Sequence, residues 1–126
     1  MNYDIKNSIT LANGGVAPGA KTSTVTGTGI NLSGYQTAVV FAQDVGAVSG
    51  TSPTLNGKIQ DSADNSTFAD VSGYTFAEVT TSTDNQQLSV DPRAVRQYVR
   101  YVGTIAGTSP SFGLSVTTAG GKQVQP

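Results

Sequence analysis

Val45–Leu55 reads VGAVSGTSPTL, and Val102–Phe112 reads VGTIAGTSPSF. Six positions are identical, and the other five are conservative: Ala47 for Thr104, Val48 for Ile105, Ser49 for Ala106, Thr54 for Ser111 and Leu55 for Phe112. In each copy alternating residues lead into Gly-Thr-Ser-Pro and alternating residues lead out of it, which is how a β-hairpin is written. This predicts a chain built from two related hairpins and hence an all-β domain.

The flanks of the repeat support strands on both sides. Tyr35, Thr37, Val39 and Phe41 fall on one face, while Ala38, Val40 and Ala42 fall on the other. Both faces are apolar, so this strand is expected to be central. After the first Gly-Thr-Ser-Pro, Leu55, Gly57 and Ile59 alternate with Asn56, Lys58 and Gln60, giving one wet face. The second copy repeats the asymmetry. Tyr98, Val99, Tyr101 and Val102 are apolar on both faces, and Phe112, Leu114 and Val116 then alternate with Ser111, Gly113, Ser115 and Thr117.

Two shorter candidates, Tyr74–Val79 and Gln86–Val90, lie between the copies. Asp91-Pro92 offers a cap followed by proline at a first helical position, so Pro92–Arg96 is expected to form one helical turn. With Tyr3–Leu11, seven or eight short strands result, and their spacing points to an antiparallel β-sandwich or jelly roll. Residues 13–34 are rich in Gly, Ala, Thr and Ser and read as an extended arm, or as a weak strand around Thr22–Thr26 between loops. The expected organisation is an N-terminal strand and arm over 1–34, a sandwich over 35–120 and a tail over 121–126.

Composition narrows the function classes. A chain of 126 residues is one domain and can bury roughly two-thirds of its unfolded surface. It has no cysteine and no histidine, which removes disulfides, thiolate nucleophiles, the usual general base near neutral pH and the commonest metal ligand. Charged residues make up 12%, about half the usual share of about 25%, and net charge is -1. Such a chain has no basic field to attract nucleic acid and no polybasic stretch for a membrane. No apolar run approaches the ~20 residues that span a bilayer, and MNYDIK lacks the order of a signal peptide. The expectation is synthesis in a cytoplasm from the chain's own initiator Met1.

Few constellations suggest chemistry. Asp61, Asp64 and Asp70, with Asn65, are hard oxygen ligands of the kind calcium takes, but the EF-hand order is absent. A turn at Asp64-Asn65, with side chains bonding nearby backbone N–H groups, accounts for the same residues. Pairs for glycoside hydrolysis can be drawn among Asp61, Asp64, Asp70 and Glu78, without tryptophan platforms. Ser52 and Ser109 have no histidine to activate them and belong to turns. Arg93, Arg96 and Arg100 concentrate three of the seven cations, and arginine forks suit carboxylates on a partner. They are the candidate partner interface; the competing reading pairs Arg100 with an acid of its own chain and leaves the other two solvated. Tyr35, Tyr74, Tyr98 and Tyr101 are candidates for stacking on sugars, although Tyr98 and Tyr101 lie on opposite faces of one strand. No catalytic residue, metal or cofactor is expected.

KIQDSADNSTFADV at Lys58–Val71, RQYVRYVG at Arg96–Gly103 and GTSPSFGLSV at Gly107–Val116 carry a resemblance. Over roughly residues 35 to 118 the chain resembles capsid decoration or cement proteins of tailed phages and related head-fibre components. Gln97, between Arg96 and Tyr98, departs from the tighter arginine-tyrosine pairing of that pattern. The resemblance implies an all-β virion structural protein without catalytic residues. It further implies binding to the major capsid protein on the outer capsid surface, often as a homotrimer. A carbohydrate-binding or fibre-associated β-sandwich module is the alternative.

Overall fold

A computed structural model of the chain describes residues 9–11 and 15–122, and all regular structure there is β apart from one 3-10 turn. The strands are β1 (Ile9–Leu11), β2 (Val16–Lys21), β3 (Val25–Thr26), β4 (Ile30–Asn31), β5 (Tyr35–Ser62), β6 (Ala69–Thr75), β7 (Asp84–Val90) and β8 (Tyr98–Lys122). All pair antiparallel in one hydrogen-bonded network. The all-β antiparallel class read from the sequence holds, and the arrangement is sandwich-like.

The hairpin reading does not hold. Both Gly-Thr-Ser-Pro segments lie inside long strands: β5 runs 28 residues and β8 runs 25, each straight through its own copy. The arms of each copy pair with the arms of the other. Val48 faces Phe112 and Leu55 faces Ile105; Ser49 faces Ser111 and Thr54 faces Ala106; Thr51 faces Thr108. The repeat offset maps each of these pairs onto the other and the last onto itself, so the two copies cross about a local twofold axis at Thr51 and Thr108.

At the crossing both strands bend. Gly50 and Gly107 have φ of 111° and 120°, and Ser52 and Ser109 have φ of 49° and 48°. A β-carbon on Gly50 would lie 2.6 Å from the Ser109 carbonyl, and one on Gly107 would lie 2.8 Å from that of Ser52. Each glycine is therefore the seat for the other copy's Ser-Pro. Pro53 and Pro110, which have no N–H to give, sit where the ladder is interrupted. The sequence locates the turn chemistry correctly, but that chemistry folds a two-stranded ribbon over instead of closing two hairpins.

The fold-over makes the sandwich. Gln43 and Gly57 belong to the same strand, and extended chain between them would run to roughly 45 Å. Yet a β-carbon on Gly57 would collide with the Gln43 side chain. One half-layer holds the N-terminal part of β5 between β7 and the C-terminal part of β8. The other holds the C-terminal part of β5 between β6 and the N-terminal part of β8. Val39, Phe41, Val45, Leu114 and Val116 from the first meet Leu55, Ile59, Val99 and Tyr101 from the second, all essentially without exposure. Each large side chain buried this way contributes about 1.5–3 kcal/mol. Tyr101 also meets Phe76 edge to face, with centroids 5.7 Å apart.

Of the two readings of residues 13–34, the structure favours strand over arm: β3 (Val25–Thr26) falls at the end of the expected Thr22–Thr26, while residues 13 and 14 lie outside the described residues. β2, β3 and β4 lie along β8, and Val16, Ile30 and Leu32 enter the core. The few apolar residues of this stretch are spaced to fill the inner face, which composition alone hides. Of the expected Tyr3–Leu11 strand, Ile9–Leu11 is seen as β1 and the rest lies outside the described residues, as do 123–126 of the tail. Pro92–Arg96 forms a hydrogen-bonded turn and not a helix, with Ala94 N–H donating to Asp91 O at 3.0 Å and Arg93 N–H to Asp91 Oδ1 at 2.9 Å.

Candidate docking faces

The acidic loop is a self-bonded turn. Asp64 Oδ1 accepts from Ser66 N–H at 2.9 Å, Thr67 N–H at 3.0 Å and the Ser62 hydroxyl at 2.8 Å, while Asn65 takes the left-handed conformation at φ 59°. These donors, with Thr67 N–H foremost, hold the Asp64 carboxyl at a pKa of about 2. Asp70 accepts from Gln60 Nε2 at 2.8 Å and Lys58 Nζ at 3.1 Å, which lowers its pKa in that order of effect. Glu78 accepts from Asn56 Nδ2 at 3.0 Å. Among the described residues no group of three or more candidate ligands is arranged to hold a metal ion.

The three arginines differ in what each one engages. Arg96 clamps Asp61, with Nη2 and Nε 2.9 and 3.1 Å from Oδ1, Nη2 3.0 Å from the Asp61 carbonyl and the backbone N–H on Oδ2 at 3.0 Å. Burial resists ionisation of Asp61, but the Arg96 bonds and charge outweigh it and the pKa falls. Arg100 donates to Gln60 Oε1 at 2.9 Å and lies over the Phe68 ring at 4.1 Å. Arg93 is 90% exposed and touches Asp91 at 3.4 Å. The close intrachain ion pair thus belongs to Arg96 and not to Arg100, whose partner is an amide, while Arg93 stays largely solvated beside Asp91.

Burial removes Tyr101 from the candidate stacking residues. Tyr101 is wholly buried, with burial pushing its phenol pKa up; Tyr35 and Tyr74 pack against the core, and Tyr98 is half-buried.

The two outer faces differ sharply in chemistry. On the first half-layer, the outward residues of three adjacent strands form a grid whose rows follow from the register. These rows are Ser89, Val40 and Ala119; Gln87, Ala42 and Thr117; and Asn85, Asp44 and Ser115. Burial alternates with buried Val39, Phe41, Gln43 and Val45 in between, which confirms the outward set. Asp44 is the grid's single charge. The side chains are short, and shallow depressions of about 230 and 410 Å³ adjoin at Asp44, the larger floored by Gly19, Gly46 and Gly113. The second half-layer instead presents Lys58, Gln60 and Arg100 beside Asp70, an ion-paired face.

Period-two alternation made Val40, Ala42, Ser115 and Thr117 legible as one-sided sets. Their union with Asn85, Gln87 and Ser89 depends on strand register, which no local pattern encodes. No known protein family and no curated protein matches this chain.

Proposed function

We propose that this chain is a virion structural protein that decorates a phage capsid, adhering to the major capsid protein on the outer surface through the neutral grid of its first half-layer. The observation that carries the reading is the grid itself: nine outward positions on three strands with one charge among them. Small side chains let a partner approach closely. Ser, Thr, Asn and Gln supply hydrogen bonds around the apolar Val40, Ala42 and Ala119. The resemblance over residues 35 to 118 supplies the partner class.

The mechanism is thermodynamic linkage. A clip that binds the assembled lattice and not free subunits stabilises it by about 2.7 kcal/mol per site at one hundred times its dissociation constant. Symmetry multiplies this over the shell, so modest contacts suffice and no reaction is needed. Arg96 and Arg100 contribute to the fold through Asp61, Gln60 and Phe68 and are not needed in the contact.

The test is co-sedimentation of the purified protein with expanded, undecorated phage capsids. Binding is expected to persist in moderate salt, because few charges are screened. Ala42→Arg is expected to abolish it and Lys58→Glu, on the opposite face, to leave it intact. Binding that vanishes in moderate salt, or that follows Lys58 in place of Ala42, overturns the reading.

A further inference from the structure

Exposed sheet edges are templates for pairing, and natural chains blunt them with short strands, proline, lysine or bulges. Among the described strands of this fold, every edge but one is blunted. β1 has three residues, and β3 and β4 have two each. β2 carries Pro18 and Gly19 and a register shift between Val16 and Gly19. β6 carries a register shift against β5 and Gly73 at φ 89°.

β7 has none of these devices. Its seven residues, DNQQLSV, contain no lysine, arginine, proline or glycine. Its register against β5 is unbroken from Val39 facing Val90 to Val45 facing Asp84. Its other side has no strand partner among the described residues. Gln86 reaches the Ala77 backbone through its side-chain amide, and among the described residues no backbone-to-backbone hydrogen bond beyond the sheet ladder involves residues 84–90.

We infer that β7 pairs edge to edge, antiparallel, with β7 of a second copy of this chain, about a twofold axis at Gln87. The strand is self-complementary in this register. Gln87 meets its own symmetry mate, and Asn85 meets Ser89 of the other copy, so the outward row joins amides and hydroxyls with no charge. Gln86 faces Leu88 on the inner side. At each end Asp84 of one copy falls opposite Val90 of the other, close to that copy's Asp91, where two carboxylates alone would repel. Arg93 stands at that corner with one 3.4 Å contact to Asp91 and 90% of its side chain exposed, and it supplies the offsetting cation. The pairing doubles the width of the neutral grid. It stands independently of the capsid reading and predicts a pair where the resemblance implies a trimer.

Sedimentation equilibrium of the full chain is expected to give twice the 12.9 kDa of one chain at high concentration. Gln87→Lys, which sets like charges on the axis, is expected to give a single chain with an unchanged β circular-dichroism spectrum; Ser89→Lys serves if that variant misfolds. Register is read by oxidation, since the chain has no native cysteine. Gln87→Cys is expected to cross-link to itself, because paired antiparallel α-carbons lie within disulfide reach. Asn85→Cys is expected to link only when mixed with Ser89→Cys, and Ser72→Cys on β6 not at all. A single-chain or trimeric mass at all concentrations, or cross-linking of Asn85→Cys with itself, overturns the inference.

Discussion

Tyr101 Oη donates a 2.5 Å hydrogen bond to Gln43 Oε1 across the interior of the sandwich, joining the two half-layers at the point where both side chains are essentially without exposure. Gln43 Nε2 is buried and has no protein partner there. The amide is therefore half satisfied, and its tolerance depends on the phenol. Tyr101→Phe is expected to destabilise the fold by about 1–3 kcal/mol, because it orphans the remaining acceptor. Tyr101→Phe with Gln43→Leu is expected to recover most of that loss, since both polar partners are then gone. Urea midpoints at constant m decide it; a silent Tyr101→Phe would show that the bond contributes nothing.

The crossing makes a second demand. Gly50 and Gly107 combine positive φ with backbone of the other copy at 2.6 and 2.8 Å from where an added methyl group would sit. Gly50→Ala and Gly107→Ala are each expected to cost about 2–4 kcal/mol, from strain and overpacking together. Gly73 has φ 89° but open space around it, so Gly73→Ala is expected to cost only about 1 kcal/mol. Thermal melts of the three variants check the ranking, and equal losses at Gly50 and Gly73 would show that the interlock adds nothing beyond backbone strain.

These residues also mark where sequence reading succeeds and fails. Val39 and Phe41 declare their face by period two, and Gly-Thr-Ser-Pro declares a change of chain direction. A hairpin and a folded ribbon, however, ask the same local things of the chain: positive φ, a proline and alternating flanks. Which arm pairs with which is settled by contacts far apart in sequence. Gln43 belongs to the inward series with Val39, Phe41 and Val45, yet its polarity masks its place. The Arg96 clamp joins residues 35 apart, so its carboxylate partner could not be named from the cluster of arginines alone.

That clamp separates the arginines by experiment. Arg96 uses its fork on one Asp61 oxygen and on the Asp61 carbonyl, and the Asp61 side chain is only 14% exposed. Lysine keeps the charge and loses the fork. Arg96→Lys is expected to cost about 1–2 kcal/mol, whereas Arg93→Lys, on an exposed side chain, is expected to stay within about 0.5 kcal/mol of wild type. Chemical denaturation of the pair measures both, and the opposite order would contradict the assignment of Arg96 to the fold.

Acid should loosen the protein through carboxylates that the fold keeps ionised. Asp64 is lowered from 3.8 to about 2, and Asp61, Asp70 and Asp91 are lowered as well. At Asp91 the largest cause is the Arg93 backbone N–H. A carboxyl with a lower pKa in the folded state binds fewer protons there than in the unfolded chain. Its stabilisation is therefore complete above the ordinary carboxylate value and is lost as pH falls through the folded value. The melting temperature is expected to be flat down to about pH 5 and to fall progressively from there toward pH 2. Asp64→Asn preserves an acceptor for Ser66 and Thr67 N–H but cannot titrate, so its acid limb is expected to be shallower than that of wild type. Melting curves collected across this range test the sign directly: a wild-type protein that gains stability between pH 4 and pH 2, or an Asp64→Asn limb as steep as the parent's, would mean that the turn does not hold its carboxylate as described.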